Sequence, residues 1–285
     1  MSDDLTSTPR IGAVHLTVRD LDRSVLFYEH SLGFKTHQRR DSTARLGAGG
    51  RDLLILTADP EAQRAWPAAG LYHFAVLVPS RFDLGRTLRR IAQTQTPVTG
   101  FADHGVSEAI YLPDPDGNGI EMYRDLPRDD WPHHPDGRLA MKTDPIDIEG
   151  ILAEVEDQPE ADHRLHKETV IGHMHLHVSL IPPAESFYRQ VIGMDMIMQL
   201  GNQAAFLSSS GYHHHLGLNT WAGQGVPPQP REAIGLRYWE WLLPDGSLIN
   251  SITDRARKVD VEISETEEGI LLRDPSDNGI LLMEE

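Results

Sequence analysis

The chain repeats itself. Residues 11–34, IGAVHLTVRDLDRSVLFYEHSLGF, align without a gap on 171–194, IGHMHLHVSLIPPAESFYRQVIGM, at an offset of 160. His15 falls on His175, Phe27-Tyr28 on Phe187-Tyr188, and Gly33 on Gly193. The second quarter repeats as well: GLYHFAVLVP (70–79) matches GLRYWEWLLP (235–244), and DPDGNGIEM (114–122) matches DPSDNGILL (274–282). Two homologous halves follow, 1–140 and 165–285. The Pro- and Asp-rich stretch between them, 141–164, reads as a linker with a short helix over 145–156.

Each half holds two smaller units of one design. A strand comes first (AVHLTV, YHFAVLV, HMHLHVS, LRYWEWLL), with period-2 alternation. A helix follows (DRSVLFYEHSL, DLGRTLRRIAQ, AESFYRQVI, SLINSITDRAR), with apolar positions such as Val25, Tyr28 and Leu32 at helical spacing. Two or three strands then run to an Asp-Pro-x-x-Asn turn or its equivalent. The expectation is an α+β fold of four βαβββ modules in two tandem halves. One module cannot bury both faces of its short sheet, so modules pair into open mixed-sheet barrels with a concave interior.

Composition narrows the function. With 39% hydrophobic and 24% charged residues, the 285-residue chain is an ordinary globular one. A formal net charge of -17 disfavours nucleic acid and anionic lipid as partners. The basic clusters Arg39-Arg40 and Arg86, Arg89, Arg90 read as solvated faces. No apolar run approaches the ~18 residues of a membrane helix, so no membrane partner is expected. The polar start MSDDLTSTPR lacks the apolar core of a signal peptide. Cysteine is absent, which removes disulfides and thiolate ligands and fits a cytoplasmic protein. Whether the chain forms a homo-oligomer is open.

Histidine, by contrast, is abundant at 15 residues. On the strand GHMHLHV, His173, His175 and His177 share one face. At least one of them is expected to be a surface residue at a strand end, and His175, the central one, to be a metal ligand. His73, in YHFAVLV, matches His15 and His175 in position; a core or edge histidine is the plain alternative. Glu121, between Ile120 and Met122, is aimed at the opposite face from both. An inward carboxylate is costly unless it is paired or metal-bound, and a salt bridge to an arginine is the alternative. Two histidines and one carboxylate on neighbouring strands form the facial triad of non-haem Fe(II) sites. Trp221, Trp239 and Trp241 read as core or as apolar walls of a cavity.

Over nearly its whole length the chain resembles the vicinal oxygen chelate superfamily (glyoxalases, bleomycin-resistance proteins, extradiol dioxygenases). Within it, the chain is most similar to the catechol-2,3-dioxygenase-like branch in its short Bacillus-type form. FYEHSLGF, YHFAVLV, AIYLPDPDGNGIEMY, GHMHLHVS and GYHHHLGLNTWAG carry the likeness. The resemblance implies Fe(II), or Mn(II) or another divalent metal, a small aromatic diol bound through both oxygens, and O2 as co-substrate. It implies Glu121 and His73 as ligands, with the second histidine on the first strand of the paired module. It also implies Tyr111 as the active-site tyrosine, His104 behind it, and His214 in YHHHLGLN as the acid/base.

One departure matters. Such proteins draw their ligands from the third and fourth modules, and here the fourth has Tyr238 in place of the histidine and Leu281 in place of the glutamate. The second module must therefore supply the glutamate. If modules 1 and 2 pair, the set is His15, His73 and Glu121. If modules 2 and 3 pair, it is His175, His73 and Glu121 with His214 as base. The second arrangement is preferred, because module 3 brings the extra histidines. The rivals are a glyoxalase-like isomerase or lyase, which would need a further protein ligand, and a metal-free small-molecule-binding protein of the bleomycin-resistance kind.

Overall fold

A computed structural model describes residues 8–157 and 164–285. Residues 158–163 of the expected linker and the first seven residues lie outside the described residues.

All four modules form as the repeat predicts. The first is β1 (Arg10–Val18), α1 (Leu21–Phe27), β2 (Lys35–Arg40), β3 (Thr43–Gly47) and β4 (Asp52–Ala58). The second is β5 (Gly70–Leu77), α2 (Arg81–Gln93), β6 (Gly100–Asp103), β7 (Ser107–Pro113) and β8 (Gly119–Asp125). A short helix, α3 (Ile148–Ala153), lies within the segment where the linker helix was expected. The third module is β9 (Val170–His177), α4 (Ile181–Ser186), β10 (Asp195–Leu200), β11 (Ala204–Ser208) and β12 (Leu216–Asn219). The fourth is β13 (Gly235–Leu243), α5 (Gly246–Lys258), β14 (Ile263–Glu265), β15 (Ile270–Arg273) and β16 (Gly279–Glu284).

Local chemistry sets the helix ends. Asp20, Ser80 and Asp245 accept hydrogen bonds from first-turn N–H groups of α1, α2 and α5. α4 starts earlier than its apolar spacing predicts, because Pro182 and Pro183 occupy its first turn, where a missing N–H costs nothing. In modules 1 and 3 the helix runs on into a widened π turn, Tyr28–Leu32 and Phe187–Ile192. Each ends on a left-handed glycine, Gly33 at φ 83° and Gly193 at φ 95°.

The strands form two eight-stranded mixed sheets. One has the order β14-β15-β16-β13-β1-β4-β3-β2, the other β10-β11-β12-β9-β5-β8-β7-β6. The first strand of a module lies parallel to its last in β5·β8, β9·β12 and β13·β16, and the outer strands are antiparallel. By internal contacts the chain divides into two compact units. One runs through Thr17 and adds Ala62–Tyr72 and Gly172–Glu285; the other comprises Val18–Glu61 and His73–Ile171.

Two matched locks tie modules together within these units. Tyr28 donates its hydroxyl hydrogen to Asp114 at 2.9 Å, and Tyr188 does the same to Asp274 at 3.1 Å. Asp114 also accepts from the main-chain N–H of Asp116 and Asn118 and from the Asn118 amide. The Asp-Pro-x-x-Asn turn is thus wound around a buried carboxylate. Burial pushes both carboxyls above the ordinary carboxylate range, against the pull of these donors. Burial also raises the Tyr28 and Tyr188 phenols, and the neighbouring Asp114 and Asp274 charges add to it.

Candidate metal centre

Three adjacent strands of the second module build the first part of the site. β5 lies parallel to β8 with His73 beside Gly119 and Ala75 beside Glu121. β7 lies antiparallel on the other side of β8 with Tyr111 opposite Glu121. Alternation brings His73, Glu121 and Tyr111 to one face. His73 Nε2 is 3.1 Å from Glu121 Oε2, and both side chains are buried. An imidazole therefore neighbours this inward carboxylate. The His73 and Tyr111 rings lie 5.6 Å apart. Further along the face, Ala75, Ala109 and Tyr123 are fully buried and pack with Leu77 and Tyr111 into an apolar floor. Ile120 and Met122 are buried on the opposite face, as the sequence pattern predicts.

His104 stands behind Tyr111. Its Nε2 is 2.7 Å from the Tyr111 hydroxyl and its Nδ1 is 2.9 Å from the Lys142 carbonyl oxygen. A carbonyl only accepts, so in the neutral ring the proton sits on Nδ1. Nε2 is then left to accept from the tyrosine.

The third module supplies a wall of imidazoles. His173, His175 and His177 are all buried, so the expectation of a surface histidine on this strand is corrected. Rings from outside the strand pack on them, Trp66 against His177 and His213 and His214 against His173. His177 bonds Asn219 at 2.7 Å. The His175 ring packs near Tyr72, Phe206 and Trp221, with centroids 5.0–5.6 Å away. Gly217, its register partner on β12, makes room for that ring: a Cβ there would sit 2.8 Å from His175. His214 was expected on the last strand of this module, but β12 begins only at Leu216, and His213–His215 form the approach to it. Freed from strand alternation, His214 lies with its ring 4.2 Å from that of His173, and its Nδ1 is 2.9 Å from His213 Nδ1. Trp239 and Trp241 are buried in the core, whereas Trp221 is half exposed.

Among the described residues one group of three side chains could hold a metal ion. It comprises His73, Glu121 and His173, all buried, each offering one ligand atom, with these atoms within 4.8 Å of one another. His175 is not in the group. A two-residue step along a strand is ~7 Å, so only one of the two imidazoles can meet a given point. His15, the other candidate, is engaged elsewhere: it bonds Glu240 at 2.8 Å and stacks on Tyr238 at 4.0 Å. Sequence reasoning missed Glu240, although it stands two residues after Tyr238 and so shares its face. The donor set fits a divalent cation of borderline hardness. Two neutral imidazoles and one carboxylate leave coordination positions open, and a cation there offsets the cost of burying Glu121.

The family model for the Glyoxalase/Bleomycin resistance protein/Dioxygenase superfamily matches residues 10–122. A catechol-2,3-dioxygenase of Bacillus subtilis (strain 168) is 44% identical over 271 residues, covering 93% of each chain. The fold is also that of glyoxalase I from Zea mays, with a TM-score of 0.62 and 16% identity over 97% of this chain and 92% of that one. The cppA protein of Streptococcus pneumoniae TIGR4 superposes with a TM-score of 0.57 at 16% identity, over 98% and 100% of the two chains. A relative this similar over this length, on this fold, settles the lineage: the chain belongs to the Glyoxalase/Bleomycin resistance protein/Dioxygenase superfamily.

Proposed function

We propose that the protein is an extradiol ring-cleaving dioxygenase that uses O2 to open a catechol-type aromatic diol, with Fe(II) held by His73, Glu121 and His173. The observation that carries this reading is the 44% identity, across nearly the full chain, to a protein named catechol-2,3-dioxygenase. The buried His73–Glu121 pair supports it. Mn(II) has the same ligand preferences and is the alternative metal. The single carboxylate in the three-residue group speaks against the glyoxalase-like reading. The composition fits action in the cytoplasm.

A divalent metal in this set supplies Lewis acidity that lowers the pKa of a diol hydroxyl bound to it. The protein's own groups handle the protons. Tyr111 donates to His104 Nε2, so its oxygen is free to accept from a substrate hydroxyl while its own hydrogen passes to the imidazole. The Lys142 carbonyl fixes the His104 tautomer that makes this relay possible. His214, beside His173, is the second base and takes the remaining hydroxyl proton. Ala75, Ala109 and Leu77 offer an apolar floor for the ring.

Protein reconstituted anaerobically with Fe(II) and then given catechol and air should consume O2 in proportion to the ring-opened product. His173→Ala should lose both metal and activity, whereas His175→Ala should keep its metal. The opposite pattern would move the third ligand to His175. A fully iron-loaded wild type that leaves a panel of catechols intact would sink the reading.

A further inference from the structure

The fourth module lacks the metal residues but keeps a cavity. Tyr238 stands on β13 where His73 stands on β5, Leu281 replaces Glu121, and Leu271 replaces Tyr111. Beside Tyr238 the structure has a cavity of about 260 Å³, lined by residues of a single compact unit. Three arginines reach it: Arg231, Arg237 and Arg273. Arg231 donates to both oxygens of Asp277 at 3.1 and 3.2 Å. Arg273 donates to the Asp277 main-chain oxygen at 2.8 Å and approaches its carboxylate at 3.6 Å. Arg237 is exposed, and among the described residues it has no ion pair. Three guanidinium groups against one lining carboxylate is a cationic pocket in a chain whose net charge is -17.

Arg273 is the more confined of the three: its burial opposes its charge, Asp277 offsets this, Arg231 adds to it, and Glu262 and Asp274 act on the side of Asp277. A bound anion would relieve both the burial and the Arg231 repulsion. Leu236, Leu271 and Tyr238 give the same cavity an apolar side. Its volume lies below the ~300 Å³ at which drug-sized ligand sites begin, which suits one ring or a short chain.

We propose that this second cavity binds a small organic carboxylate, its charge held by Arg237 and Arg273 and its apolar body resting on Leu271 and Tyr238. The duplication would thus have left two different sites: one fitted to a cation and one, beside Tyr238 and Leu271 of the fourth module, lined with guanidinium groups to take an anion. The inference stands independently of the reading of the metal centre.

Calorimetric titration of the metal-stripped full chain with benzoate, and with benzamide as its neutral counterpart, tests this. Benzoate should bind saturably at one site per chain, and benzamide at least tenfold more weakly. Arg237→Met, a change at an exposed position, should weaken benzoate at least fivefold, and Arg237→Glu should abolish binding. Glu121→Gln, which alters only the metal centre, should bind benzoate as the wild type does. The proposal is overturned if benzoate does not saturate, if benzamide binds equally well, or if Arg237→Met leaves affinity unchanged. It is equally overturned if Glu121→Gln loses the binding.

Discussion

Glu121 carries the largest electrostatic liability of the candidate centre. Its side chain is almost wholly removed from water, and an isolated buried carboxylate costs several kcal/mol after relaxation. A bound divalent cation turns that cost into binding energy, so Glu121→Gln should lower metal affinity by at least the roughly 10–100-fold that follows loss of a mere supporting residue. Metal content after dialysis measures this, and a variant that keeps stoichiometric metal would contradict it. Tyr111→Phe should differ in kind: metal stays bound, while turnover falls by roughly 10²–10⁴-fold as the proton relay to His104 is cut. The inward placement of His73 and Glu121 was legible from strand alternation and the Asp-Pro-Asp-Gly turn, whereas Tyr111 and His104 were pointed to only by the family resemblance, and His104 lies just past the end of β6. For the second histidine the sequence pattern offers His175 and His15, and it does not single out the His173 of the three-residue group. Alternation puts His173 and His175 on one face of β9 and cannot choose between them.

At the level of elements, the tyrosine–aspartate locks join the first helix of one module to the turn of the next. Tyr28→Phe deletes a buried hydrogen bond and leaves Asp114 one donor short, so it should destabilise by about 1–2 kcal/mol. Thermal melting should register this as a fall of a few degrees. The locks also make stability depend on pH. Because Asp114 and Asp274 are raised by burial, the folded chain holds these protons more tightly than the unfolded chain. Their contribution is complete below the unfolded carboxylate pKa and is lost as pH rises through the folded values. The Tm advantage of wild type over Asp114→Asn should therefore shrink as pH rises above the ordinary aspartate pKa of about 3.9. A gap that widens with pH would mean the carboxyl is depressed instead. All four helices of the repeat were readable from apolar spacing. The early start of α4 and the late start of β12 were not, because prolines and a histidine run override the periodic pattern locally.

For the molecule as a whole, the duplication revealed the module count but left the pairing of modules open. The strand orders add which modules share a sheet, the second with the third and the fourth with the first. A metal bound only by the folded chain should raise Tm in step with its concentration, by about 2.7 kcal/mol of stability at a hundredfold excess over Kd. Glu121→Gln should flatten that response. The opening strand, β1, lies beside β4 of its own module on one edge but beside β13 of the fourth module on the other. Arg10 is in register with Leu242 and ion-paired with the final residue, Glu285. A ribosome releasing this chain therefore emits β1 long before β13, its partner on that second edge, exists. During synthesis its buried positions, Val14 and Leu16 among them, must be kept from other nascent strands. A release fragment ending near residue 140 would carry an open edge with nothing of its own to close it, and it is the species on which chaperone dependence should be greatest.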